Sequence, residues 1–328
     1  MVSLGADLWL QFILALDATL RVATPLILCA MAGIFSERAG IIDISLEGKM
    51  LLSAFTAAAT ASLMHSPMLG LLAGIAVSVV FSIIHGFACI THRGNQVISG
   101  LAINILASGL TVTVGIAIFR QGGQTPNLAR DDRFAPTELP FIDALNHIPI
   151  IGTIYRELIS GHNILVWVGF LAVIFTSYIL WQTRFGLRLR AVGEKPEAVD
   201  SAGISVSLLR YKAVIIAGIL CGIAGAYLST AHGSGFVREM TAGKGYIALA
   251  AMIFGKWQPR GALLACLLFG FLEAIAARLQ GVELPLIGEA PVELILAMPY
   301  LMTVILLAGL VGRAVPPRAI GQPYIKER

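Results

Sequence analysis

The stretch Thr183–Lys212, TRFGLRLRAVGEKPEAVDSAGISVSLLRYK, is a charged island between two apolar runs. On one side lies NILVWVGFLAVIFTSYILWQ (163–182) and on the other AVIIAGILCGIAGAYLSTA (213–231), each long enough to cross a bilayer. Few folds accept such a chain, because hydrocarbon leaves no water to satisfy backbone polar groups. The island carries Arg184, Arg188, Arg190, Lys195, Arg210 and Lys212 against Glu194, Glu197 and Asp200. Loops with that excess of cations stay on the cytoplasmic side. Its middle, 196–202, reads as a short helix. Pro196 suits the first helical position, Glu197 opposes the N-terminal dipole, and Gly203 suits a left-handed stop. So short a helix has no stability of its own in water. The pattern therefore points to a docking element ordered by a partner; the alternative is a solvated linker whose charges only fix topology.

Of the 328 residues 57% are hydrophobic and 13% charged, where soluble domains carry about 25% charged. The fold expected is all-α, a polytopic transmembrane helix bundle in lipid, formed by one domain over 1–328. About nine spans (eight to ten) can be read, near 18–35, 41–64, 68–90, 99–119, 163–182, 213–231, 240–255, 261–280 and 291–311. The seventh, GYIALAAMIFG, is short and follows a polar stretch, so it reads as a broken or re-entrant helix lining a cavity. With 183–212 inside, the segments near Arg38, Arg93 and Lys256 fall on the same side, as does the tail 313–328. The Pro-rich segment 120–162 is then external and the C-terminus cytoplasmic. The net charge of +4 is thus a topology signal between spans rather than a nucleic-acid surface.

Several polar residues stand inside the apolar runs. In ERAGIIDISLEGKML (37–51), Asp43 and Glu47 lie four residues apart, which on a helix is one face. Ionisable groups in a membrane segment are costly and often functional; both also lie near the end of a span, within reach of water, Arg38 or Lys49. Gly40 and Gly48 weaken a helix here, as in the discontinuous binding segments of transporters. Asn104, Ser108 and Thr111 recur at helical spacing, either lining a pathway or bonding neighbouring helices. Glu273 is a deep carboxylate, open to a substrate contact, a proton relay or a structural pair. Gly218, Gly222 and Gly225 form a stripe suited to close helix packing.

No phosphate-binding loop, dinucleotide fingerprint, HExxH or GxSxG motif occurs in the chain. If ATP drives this protein, another subunit binds it.

Four stretches carry a family likeness. SERAGIIDISLEGKML, RFGLRLRAVGEKPEAVDSAGI, GKGYIALAAMIFGKWQPRGALLACLLFG and MPYLMTVILLA together resemble the permeases of bacterial ABC importers. The group is that for branched-chain amino acids, ribose and nucleosides, and the nearest likeness is to its simple-sugar and nucleoside subfamily. The resemblance implies an inner-membrane, multi-pass transport subunit rather than an enzyme, carrying a nucleoside or purine-type solute. A pentose-type sugar is the alternative; a proton-coupled secondary transporter is a different class. The resemblance further implies an ABC ATPase subunit holding ATP and Mg, a second homologous permease chain, and a substrate-binding protein. No cofactor is expected in this chain. Carried over by position, the ATPase-coupling residues are Arg190, Gly193, Glu194, Pro196, Ala198, Gly203 and Ile204. The substrate path or gate falls to Asp43, Glu47, Asn104, Ser108 and Glu273. Three positions depart from the subfamily's pattern: Asp43 replaces an Asn, Ser45 a Gly and Lys49 a Met.

Overall fold

Leu26 to Ala32 form a run of seven residues sealed from solvent, with no face left for lipid. A helix apolar on every side belongs in the interior, and this one, α1 (Val2–Arg38), is the post around which the bundle packs. The computed structural model describes residues 2–137, 149–279 and 314–326, with short pieces at 283–284, 288–289, 297–298 and 301. The helices that follow are α2 (Leu46–Met64), α3 (Pro67–Gly86), α4 (Gln96–Phe119), α5 (Pro149–Ile154) and α6 (Ile164–Gln182). Then come α7 (Arg184–Glu194), α8 (Pro196–Ser201), α9 (Val206–Tyr227), α10 (Lys244–Phe254) and α11 (Pro259–Leu279). The described residues are helical throughout apart from loops, one isolated bridge (Gln124 with Val237) and a two-residue antiparallel pairing, Glu283–Leu284 with Gly288–Glu289.

Six helices among the described residues are long and apolar enough to cross a membrane: α1, α3, α4, α6, α9 and α11. The expected count of about nine spans is not confirmed among the described residues. The run 41–64 becomes helical only at Leu46, and most of the Ala-rich α2 is buried within the protein. The run 240–255 yields the 11-residue α10, about 16 Å long against a hydrocarbon core of about 30 Å. The run 291–311 lies almost wholly outside the described residues. The outer helices turn Ile105, Ile174, Phe175 and Leu264 outward, as lipid contact requires. Inside, α9 lies against α3 at Gly218 and Gly222 and against α2 at Gly225, so the small-residue stripe is used for packing.

The charged island holds two helices, not the single one expected. Thr183 caps α7 by accepting from the Gly186 N–H at 3.1 Å. Gly203, at φ +76°, lies two residues beyond the end of α8 in open space, so its requirement is purely conformational. The short helix is not left for a partner to order. Val199 packs with Val192, Val206 and Leu209, and Ile204 and Tyr324 lie against them. The chain's own tail completes this face. The Ala319 N–H donates to Gly193 O (2.8 Å), the Gly321 N–H to Gly40 O (3.0 Å), and the Arg210 guanidinium to Gln322 O (3.2 Å). The island and the tail are thus on one side of the bundle. At the other end, Thr125, Leu128 and Phe134 bond to the backbone of 230–236.

Candidate functional site

Between α1 and α2 the chain runs unwound through the protein interior, and side chains of α3 and α4 replace its missing helical bonds. The Ile42 N–H donates to Gln96 Oε1 (2.7 Å), and His85 Nε2 lies 3.0 Å from Ile42 O. Asn104 Nδ2 donates to Ile44 O (3.0 Å), and Asn104 Oδ1 accepts the Gly48 N–H (2.8 Å). Irregular backbone at membrane depth survives only where it is satisfied in this way.

Asp43 lies in this unwound segment, so it does not share a helical face with Glu47. Its Oδ2 accepts from Lys49 Nζ at 2.6 Å, the Ser45 hydroxyl donates to its Oδ1, and His85 Nε2 is 3.9 Å away. All four side chains are fully buried. The three departures from the subfamily's pattern, Asp43, Ser45 and Lys49, therefore form one cluster. Lys49 carries out the pairing that its place beside the acidic residues offered, while His85 has no signal in the sequence. The signal for Lys49 was a cation six residues after Asp43 inside an otherwise apolar run.

Glu47 is committed elsewhere. Its two oxygens accept the N–H groups of Gly243 (2.8 Å) and Gly245 (2.6 Å), capping the first turn of α10. A carboxylate against unpaired N-terminal amides also meets the positive end of the helix dipole. A Cβ on Gly245 would lie 2.6 Å from Glu47 N, so only glycine allows α10 to begin here.

The remaining sequence candidates lie where the described residues leave polar groups partly exposed. Glu273 is paired with Lys244, the two side chains being 36% and 14% exposed. Asn104 Nδ2 also donates to the Tyr246 hydroxyl at 2.8 Å, and the Ser108 hydroxyl donates to Glu239. Thr111 turns inward and bonds Ala107 O of its own helix at 2.9 Å, so the three-residue stripe splits. The turn before α10 holds two non-glycine residues at positive φ, Glu239 (+55°) and Ala242 (+45°). Such strain persists only where the surroundings fix it, here by the Glu47 cap and the Thr125 hydroxyl bonded to the Phe236 N–H at 2.9 Å.

On the opposite face the seven coupling candidates divide. Glu194, Ala198 and Gly203 are exposed, Arg190 and Ile204 half-buried, and Gly193 and Pro196 buried. Gly193 is pressed against Arg38 O and Pro317. Arg190 lies over the Trp181 ring at 5.2 Å. An apolar groove opens between Leu187, Ala191, Ala198 and Ala202, rimmed by Arg188, Glu194 and Lys195.

These features define a polytopic membrane protein with a polar face and a grooved basic end. The chain belongs to the family described as branched-chain amino acid transport system / permease component, whose model matches residues 15–307. It is 40% identical to the guanosine ABC transporter permease protein NupQ of Bacillus subtilis, over 94% of this chain and 95% of that protein. It is 38% identical to the nucleoside ABC transporter permease protein NupC of Lactococcus lactis, over 93% and 95%. The putative glucose ABC transporter permease protein TsgC13 of Haloferax volcanii is 33% identical, over 95% and 97%. Bacillus subtilis has a second, more distant relative, the guanosine ABC transporter permease protein NupP, 26% identical over 84% of this chain.

Proposed function

We propose that this chain forms one half of the translocation path of an ATP-driven importer for nucleosides or related purines. The carrying observation is the set of partly exposed polar groups among the described residues: Asn104 and Ser108 on α4 bonded to Tyr246 of α10 and to Glu239 on the turn before it, and Lys244 of α10 paired with Glu273 of α11. Polar groups at this depth are costly against lipid, and a second permease chain across an aqueous path removes that cost. NupP and NupQ, two guanosine permeases of one organism that this chain resembles to different degrees, support a heterodimer. Within this reading Asn104, Ser108 and Glu273 border the path, while Asp43 and Glu47 hold the unwound segment and the half-helix that frame it. Counting α2, the broken α10 and the apolar run 291–311 gives about nine traverses.

The groove between α7 and α8 is the seat of the ATPase subunit, which carries ATP and Mg. Arg190, Gly193, Glu194, Pro196, Ala198, Gly203 and Ile204 shape it or stand behind it. The island and the tail 313–328 then face the cytoplasm, 120–162 faces outward, and a substrate-binding protein delivers the solute. The likeness to TsgC13 favours a simple sugar as the second reading. A proton-coupled carrier is disfavoured because Asp43 and Glu273 each face a lysine and Glu47 is consumed by two N–H groups.

The test is uptake into proteoliposomes holding this chain with its ATPase, second permease and binding protein. ATP-dependent guanosine uptake that disappears without the ATPase supports the proposal. Uptake by this chain alone, driven by a proton gradient, would overturn it.

A further inference from the structure

Two side chains among those partly exposed polar groups are held ready rather than used up. The Tyr246 hydroxyl is pinned by Asn104, whose amide orientation is fixed in turn by Ile44 O and the Gly48 N–H. Accepting from Asn104 leaves the tyrosine hydroxyl proton free, and the residue stays 43% exposed. Glu239 is held by the Ser108 hydroxyl on a turn strained to positive φ. It is exposed, and a carboxylate has more acceptor sites than one hydroxyl fills. The two anchors, Asn104 and Ser108, are four residues apart on α4. One helical turn, about 6 Å of rise, therefore separates the aromatic ring's tether from the carboxylate's.

We infer that Tyr246 and Glu239 are a two-part contact site for a nucleoside, with Tyr246 stacking on the base and Glu239 accepting from the ribose hydroxyls. Asn104 and Ser108 are positioning residues. The inference rests on the nucleoside reading above and deepens it. An aromatic plane is a sequence-tolerant platform for any base, and a fixed carboxylate beside it matches a vicinal diol. A simple sugar would use the second part but gain little from an open ring face. The turn's strain and the Glu47 cap keep both parts in register as α10 begins.

The experiment uses the complete importer and its binding protein in proteoliposomes. Tyr246→Phe removes the tether but keeps the ring; Tyr246→Leu removes both. The Phe variant should keep more than half of wild-type guanosine uptake, and the Leu variant should lose about tenfold, the size of a lost stacking contact. ATPase co-purification reports assembly. Equal loss in both variants, with assembly intact, would assign Tyr246 a structural role and overturn the base contact, as would full uptake by the Leu variant. For the second part, wild-type uptake of guanosine is compared with that of 2′,3′-dideoxyguanosine. Glu239→Gln should shrink their ratio at least threefold, and since the binding protein is common to both, its own selectivity cancels. An unchanged ratio overturns the ribose contact. Wild-type transport of a simple sugar and no nucleoside would instead sink the nucleoside reading itself, a result distinct from either variant outcome.

Discussion

Lys49 Nζ lies 2.6 Å from the Asp43 carboxylate, and neither side chain has any exposure to solvent. Two residues that each depart from the subfamily's pattern are thus one substitution in physical terms. A buried charge is tolerated when paired, and removing one partner strands the other. The Ser45 hydroxyl donates to the other carboxylate oxygen, while His85 stands 3.9 Å away and is bonded to Ile42 O, so the cluster replaces an uncharged core rather than adding a binding site to it.

Lys49→Met alone should therefore destabilise the protein by about 3–5 kcal/mol, the cost of an uncompensated buried ion. Adding Asp43→Asn should restore most of it, giving a strongly non-additive double-mutant cycle. Thermal unfolding of the purified chain in detergent measures this. Additive losses would mean that the two residues act separately.

Glu47→Ala removes the acceptor of two amides at the start of α10. Each buried donor left bare costs about 1–3 kcal/mol, so the first turn of α10 should fray before the rest of the bundle. Hydrogen exchange at 243–247 should speed up while α1 and α9 stay protected, and uptake should fall to background in the assembled importer. Unchanged exchange would remove Glu47 from this role.

Gly203→Val places a β-branched residue at φ +76°, where no neighbour obstructs it and only the backbone objects. The stop after α8 should shift, and the yield of co-purified ATPase should fall severalfold with membrane insertion unchanged. Glu194→Lys together with Glu197→Lys should do the same through charge at the groove's edge. Full coupling in both variants would reduce the island to a linker.

Orientation has a direct check. In a background lacking Cys29, Cys89, Cys221 and Cys266, a cysteine at exposed Arg130 should react with an impermeant reagent on intact cells, and one at exposed Glu197 should not. Asp132 is a poor reporter, being buried against His65. Labelling of Glu197→Cys from outside would invert the proposed topology.

The bundle's main helices were legible because lipid demands long apolar runs, and Pro196 and Gly203 marked α8 by local chemistry alone. What periodicity could not convey is where a run stops being helical. Asp43 and Glu47 have the spacing of one helical face, yet the helix starts at Leu46 because Gln96, His85 and Asn104 take over the backbone bonds upstream. That exchange joins residues up to about 60 positions apart and leaves no local trace. For the same reason Asn104 and Ser108 read as a stripe, while Tyr246 and Glu239, which they hold, did not stand out. α7 was missed because its buried Val192 acquires a partner face only when α8, α9 and the tail meet it, and its Leu189 only within the main core of the bundle.

The bonds from Ala319, Gly321 and Gln322 to Gly193, Gly40 and Arg210 have a consequence for biogenesis. Residues 319–322 leave the ribosome after every helix described above. Until then the α7–α8 groove lacks Tyr324 behind it, and the unwound segment lacks its clasp at Gly40. A nascent chain already lodged in the bilayer therefore still presents an unfinished surface at the face proposed above to receive the ATPase.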